Sequence, residues 1–179
     1  MLEFVPRPDV RHIALSETWI KEENLKLFPI ENYIPYLAAI MGGRKSGGVI
    51  YYEKNTLPIK SSEVVSVDGS NGLKLKIQKG GKNKKTENDV ITMYLLYRNC
   101  TADRHHFIDS LERELQKEIG SQIVILGDIN INLLDEMESA EYLDMFMSQG
   151  CLSLQNFPTR GQNCLDHVIT NIKESTNRQ

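Results

Sequence analysis

No apolar run in this chain approaches the ~20 residues needed to span a bilayer, so no membrane-spanning helix is expected. The opening Met1-Leu2-Glu3-Phe4-Val5-Pro6 lacks the basic, apolar and small-residue order of a signal peptide. Net positive charge is also missing: 21 Lys and Arg stand against 24 Asp and Glu, for a net charge of −3. That excludes a global basic field for nucleic acid, so such a substrate would have to be held by a local patch and metal ions. Cysteine is scarce. Cys100, Cys151 and Cys164 cannot all pair within one chain, and their spacing matches no zinc pattern, so reduced and packed thiols are expected. The expected setting is soluble and intracellular. What the chain does have is a 40% hydrophobic fraction over 179 residues, enough for the core of one domain.

Strand-like segments dominate the first half. They are His12-Ile13-Ala14-Leu15, Gly48 to Tyr52, a brief Val64 to Val67, Leu73 to Ile77, and the longer Val90 to Tyr97. Leu73-Lys74-Leu75-Lys76-Ile77 alternates cleanly and is expected to be half-exposed. Residues 78–89 gather glycine and lysine without aromatics, which favours an exposed hairpin loop over a DNA contact. Helices follow. Phe107, Ile108, Leu111, Leu115 and Ile119 share a helical face, with Asp103 as the cap and Gly120 as the stop. Ala140, Leu143, Phe146 and Met147 mark a second helix ending near Gly150. A last strand runs from Leu165 to Thr170. The order is not a regular βαβ alternation, so a two-sheet core with helices outside fits better than a doubly wound sheet.

The segment Ile123-Val124-Ile125-Leu126-Gly127-Asp128-Ile129-Asn130 carries the most chemistry. Its apolar run is expected to be a strand buried on both faces. In an extended chain residues i and i+2 share a side, which would put the Asp128 carboxylate and the Asn130 amide together at the strand's end. Such a pair could grip a phosphate, a water or a hard cation. A plain Asx turn explains the same residues. Glu17, Tyr97 and Asp166 also stand at strand ends, where α/β proteins collect ligands. Glu17 and Asp128 are oxygen ligands suited to Mg²⁺. His105 and His106 are neighbours that cannot face one another on a helix, so solvent exposure is expected for both.

Six pieces occur in order. They are Ala14-Leu15-Ser16-Glu17-Thr18-Trp19-Ile20; Ser46-Gly47-Gly48-Val49-Ile50-Tyr51-Tyr52; Leu96-Tyr97-Arg98-Asn99; Ile125-Leu126-Gly127-Asp128-Ile129-Asn130; Phe157-Pro158-Thr159-Arg160; and Leu165-Asp166-His167-Val168-Ile169-Thr170-Asn171. From Ala14 to Asn171 the chain resembles the endonuclease/exonuclease/phosphatase superfamily, most of all the endonuclease domain of non-LTR (LINE-type) retrotransposons. The resemblance implies an α/β fold, a four-layered α/β sandwich with two β-sheets flanked by helices. It implies a Mg²⁺ (or Mn²⁺)-dependent DNA endonuclease. Glu17 would hold the metal and Tyr97 would hydrogen-bond the scissile phosphate. Asp128 and Asn130 would position or activate the attacking water. Thr159 would touch the phosphate backbone, Asn163 would stand at a phosphate contact, and Asp166 would orient a catalytic histidine. DNA would be the partner, with a reverse transcriptase fused in a full-length element and a nuclear location if the element is active.

The chain also departs from the family. The family's first strand carries a metal-site asparagine, and only residues 1–11 precede His12 here. The family ends on Ser-Asp-His, and residues 168–179 contain no histidine. A fold incomplete at both termini is the expectation. His167 adjoins Asp166 in a strand, so their side chains point to opposite faces and cannot pair. Asn163 stands where the family often has serine, and Asn99-Cys100 where it often has Pro-Pro. Loss of acid–base assistance typically costs ~10² to 10⁴-fold in rate. The expectation is therefore an impaired endonuclease. The alternatives are a non-catalytic remnant that keeps the fold, or a phosphatase of the same superfamily acting on a small phosphoester.

Overall fold

β-Branched and aromatic residues build two sheets. The computed structural model describes residues 7, 9–39, 47–54, 59–68, 70–79 and 90–173. The smaller sheet holds β1 (His12–Ser16), β3 (Val49–Lys54) and β2 (Tyr33–Ala38), with β3 central and both pairings antiparallel. The larger sheet has the order β4 (Ile59–Val67), β5 (Ser70–Gln78), β6 (Val90–Arg98), β7 (Gln122–Asp128), β9 (Asp166–Thr170) and β8 (Leu152–Ser153). Its β6–β7 pair is parallel. A parallel pair needs a crossover connection, supplied here by α1 (Arg104–Leu115). α2 (Glu136–Ser148) links β7 to β8.

Three apolar clusters define the layers. Ala38, Val49 and Tyr51 of the small sheet meet Leu73, Leu75, Ile77, Leu95 and Tyr97 of the large one. On the far side of the large sheet, Tyr94, Leu96, Ile123, Ile125 and Ile169 pack on Phe107, Leu111, Tyr142 and Phe146 of the two helices. On the outer face of the small sheet, Ile13, Ile50 and Tyr52 are covered by Val10, Leu25 and Ile30. Leu25 belongs to a 3₁₀ turn, Glu22–Leu27. The α/β sandwich is as expected, but among the described residues the α-helices cover only the large sheet. No described helix is long and apolar enough to cross a membrane.

Several local expectations are corrected. β5 is not half-exposed: Lys74 is buried, its ammonium 2.7 Å from Glu118 and 3.2 Å from both Glu114 and Glu63. Burial works against charge on Lys74, but its carboxylate partners raise its pKa above the ordinary lysine value. Ile119 is exposed, because α1 ends at Leu115 and tightens into a 3₁₀ turn that breaks the 3.6-residue period. Asp103 caps α1 as expected, accepting from the His106 N–H. On α2 the inward face is Ser139, Tyr142, Met145 and Phe146, while Ala140 and Met147 are exposed. Tyr142 turns inward because its hydroxyl meets Nδ1 of the buried His167 at 3.1 Å. Of the cysteines, Cys151 and Cys164 are buried and unpaired, whereas Cys100 is exposed. The expected loop at residues 78–89 falls outside the described residues from position 80, and the flanking strands pair antiparallel with Gln78 opposite Val90.

Candidate active site

The ends of three adjacent strands place three side chains in a row. Tyr97 at the end of β6 is in register with Asp128 of β7, and Asp128 with Asp166 of β9. Residues in register point to the same face of a sheet, so this row lies on the face toward the small sheet. Gly127 makes the strands' close approach possible. Its φ is +142°, and an added β-carbon would stand 1.8 Å from the Leu96 carbonyl oxygen.

Glu17 enters from the small sheet, one residue past β1. The Tyr97 hydroxyl donates to its Oε1 at 2.7 Å. Glu17 and Trp19 both adopt left-handed backbone, with φ of +52° and +57°. The loop is held there by Thr18 N–H to Gly48 O (3.2 Å) and Trp19 N–H to Gly47 O (3.0 Å). Asn130 is a third left-handed residue, at φ +53°. Such conformations cost free energy in non-glycine residues and cluster at functional sites.

Asp128 is 2% exposed. Its Oδ2 accepts from Arg160 Nη2 at 2.9 Å, while Oδ1 is buried with no hydrogen-bond partner among the described residues. Burial pushes its carboxyl above the usual aspartate value, and the charges of Asp166 and Glu17 push the same way against the pull of Arg160. Arg160 is held above its own ordinary value by Asp128, Asp166 and Glu17. Four charged groups thus share one electrostatic neighbourhood.

Asn130 does not simply share a strand face with Asp128, because β7 ends at Asp128 and the chain turns. Its Nδ2 donates to the Arg98 carbonyl at 2.8 Å. In return Arg98 Nη1 reaches the carbonyls of Asn130 (3.1 Å) and Ile129 (3.3 Å). Arg98 is buried, with its guanidinium 5.6 Å from the Phe107 ring, and it fixes the turn that follows Asp128. Thr159 Oγ1 accepts from the N–H groups of Leu165 (3.0 Å) and Asp166 (3.1 Å). Asn163 bridges Arg160 through the backbone, and its side chain accepts from Asn132 Nδ2 at 3.1 Å. Thr159 and Asn163 therefore shape the loop that delivers Arg160. Arg98, Arg160 and Trp19 lay inside the quoted motifs without an assigned role. Spacing alone does not show that an arginine 32 positions away will meet Asp128.

None of the four histidines joins this group. His167 is buried on the helix side, between the Tyr142 hydroxyl and the Ile131 carbonyl (2.9 Å), so Asp166 and His167 do diverge. His105 and His106 are exposed on α1. His12 bonds the Tyr51 hydroxyl at 2.5 Å. A shallow cavity of about 170 Å³ lined by Tyr36, Leu37, Ser62, Glu63, Val64 and Leu73 includes none of the row's residues, and its carboxylate is already paired with Lys74.

No family model matches the chain, and no curated protein matches it either. Solved structures do. The Xenopus laevis APE2 catalytic domain superposes with a TM-score of 0.62 at 15% identity, covering 91% of this chain and 74% of that one. ANGEL2, a 2′,3′-cyclic phosphatase, gives 0.61 at 13%, covering 90% and 70%. The endonuclease domain of TRAS1, a telomere-specific non-LTR retrotransposon, gives 0.51 at 12%, covering 79% and 68%. All three belong to one superfamily. The chain has the endonuclease/exonuclease/phosphatase fold. By name, one of the three is a 2′,3′-cyclic phosphatase and another an endonuclease domain. Among the described residues, no three His, Cys, Asp or Glu side chains converge as a metal cage. Mg²⁺ does not require one, since it commonly binds through one or two carboxylates with water and substrate phosphate. The orphaned Oδ1 of Asp128 and the exposed Glu17 provide donors of that kind.

Proposed function

We propose that this chain is a divalent-metal-dependent phosphodiesterase acting on the DNA backbone, derived from a non-LTR retrotransposon endonuclease. The observation that carries this reading is Asp128. A buried carboxylate with one oxygen unsatisfied among the described residues is costly to keep, and it lies in register with a tyrosine and a second aspartate. Such groups are retained where they do chemistry.

Glu17, with help from Asp128, would hold Mg²⁺ or Mn²⁺. The ion would supply Lewis-acid polarisation of the phosphodiester. Tyr97 has a hydroxyl proton that it can turn from Glu17 to a phosphate oxygen. Asp128 would take a proton from the attacking water, with Asn130 positioning that water from the adjoining turn. Arg160 is the cation facing three carboxylates, and it would offset their repulsion of an anionic substrate. Thr159 and Asn163 would act through the loop they hold, which carries Arg160. None of this chain's histidines stands beside Asp166, so no imidazole among the described residues assists protonation of the leaving oxygen.

Plasmid nicking in Mg²⁺ tests the reading. The expected outcome is nicking that chelator abolishes and that Asp128→Ala lowers by about 10²-fold or more. If wild type and Asp128→Ala nick equally little, the chain is not a working nuclease. A second reading, a non-catalytic remnant, draws support from the Arg160 guanidinium on Asp128 and from the absence of histidine at the site. It predicts weak metal affinity. Tight, saturable Mg²⁺ binding by calorimetry would count against it.

A further inference from the structure

Trp19 is the chain's sole tryptophan. It stands 60% exposed, although the core buries Tyr51, Tyr94, Tyr142, Phe107 and Phe146 almost completely. Its backbone sits at φ +57°, where a bulky residue is a genuine outlier and a glycine would rest without strain. Its N–H donates to the Gly47 carbonyl, and the neighbouring Thr18 N–H donates to that of Gly48. The same Gly47 lies against Tyr97, since a β-carbon on it would be 3.5 Å from the tyrosine Cδ1. Tyr97 in turn holds Glu17, two residues before Trp19. The fold therefore keeps strained backbone at a large, exposed aromatic residue two positions from Glu17, the proposed metal ligand.

We propose that Trp19 is a platform on which a nucleobase next to the scissile phosphate stacks, so that the substrate is a nucleic-acid strand with an unpaired or everted base rather than a bare phosphoester. This rests on the phosphodiesterase reading of the same site. The chain keeps the two residues close. At most about 7 Å separates the Cα atoms of Glu17 and Trp19, so a phosphate at Glu17 and a base on the indole can belong to one strand. Charge favours it too. Glu17, Asp128 and Asp166 face one arginine, Arg160, and the chain is net negative, so an anionic strand gains from a grip that does not depend on charge. Stacking on an aromatic face is that grip, and it tolerates any base. A base stacked here must be out of the duplex, as for enzymes that evert a nucleotide.

The sole tryptophan reports directly on the contact. The full chain, with Ca²⁺ in place of Mg²⁺, is titrated with a single-stranded deoxyoligonucleotide and with an abasic strand of equal length, and fluorescence is recorded. The base-bearing strand is expected to quench saturably and the abasic strand to bind more weakly without quenching. By anisotropy of a labelled strand, Trp19→Ala is expected to weaken binding by about five- to a hundred-fold, and Trp19→Phe to restore most of it. Equal quenching by both strands, or unchanged affinity in Trp19→Ala, would overturn the platform. If Trp19→Ala does not fold, the two-strand comparison on wild type and Trp19→Phe still decides. Hydrolysis of bis(p-nitrophenyl) phosphate is measured alongside. Its absence with base-dependent quenching intact would sink the phosphodiesterase reading and leave the stacking site standing.

Discussion

Asp128 illustrates how a single residue sets function against stability. Its carboxyl is buried, one oxygen lacks a partner among the described residues, and its pKa is raised even with Arg160 beside it. The folded chain thus holds the Asp128 proton more tightly than the unfolded chain does. Its contribution to stability is greatest at low pH and declines as pH rises past the unfolded value of about 3.8. Asp128→Asn removes that cost, while the ion pair lost with the exposed Arg160 is worth ~1 kcal/mol or less. We expect Asp128→Asn to be more stable than wild type to denaturant near neutral pH and to lose nicking activity, with the two stabilities converging in acid. A variant less stable than wild type at neutral pH would contradict the strained-carboxylate account. The same trade holds for Trp19, whose strain serves exposure rather than packing.

At the scale of elements, β5 carries the clearest lesson. Its alternation of leucine and lysine has the pattern of a strand with one wet face, yet Lys74 is buried under α1 and the 3₁₀ turn that follows it. Glu114, Glu118 and Glu63 surround its ammonium, and Thr92 donates to Glu118. The pattern was legible, but what lies over that face depends on a helix 40 residues away. Removing one partner of a buried ion pair typically costs about 3–5 kcal/mol, but here Lys76 still reaches Glu118 at 3.4 Å and Lys117 still reaches Glu114. Lys74→Met is therefore expected to destabilise the chain by at most about that much in urea unfolding. A loss under about 1 kcal/mol would show the network to be solvated.

For the molecule as a whole, His167 couples stability to pH. It is enclosed between the Tyr142 hydroxyl and the Ile131 carbonyl, and burial lowers its pKa to about 4. An unfolded histidine titrates near 6.5. The unfolded chain therefore gains a proton that the folded chain refuses, and stability is full above about pH 6.5 and falls as pH drops toward 4. The loss is on the order of 3 kcal/mol. His12, lowered by burial and by Arg11, adds to it in the same direction. Glu114 and Glu118 are held below the ordinary carboxylate value, so their contribution is lost only at lower pH. Denaturant midpoints measured from neutral to mildly acidic pH should fall steadily. A flat profile would mean that water reaches His167.

Local chemistry was enough for much of this. The apolar run into Gly127 and Asp128, the Asp103 cap, and the opposed faces of Asp166 and His167 all follow from backbone geometry and side-chain periodicity, which act over a few residues. The six ordered pieces, through the resemblance they carry, assign Glu17, Tyr97, Asp128 and Asp166 to one fold, and strand register and one hydrogen bond bring them together. Tertiary structure alone decided which groups meet. It set Arg160 on Asp128, used Arg98 to brace the Asn130 turn, buried Lys74, and left Trp19 exposed on strained backbone beside Tyr97. Those contacts join residues tens of positions apart. Their energies come from burial and charge in three dimensions, which a linear pattern does not contain.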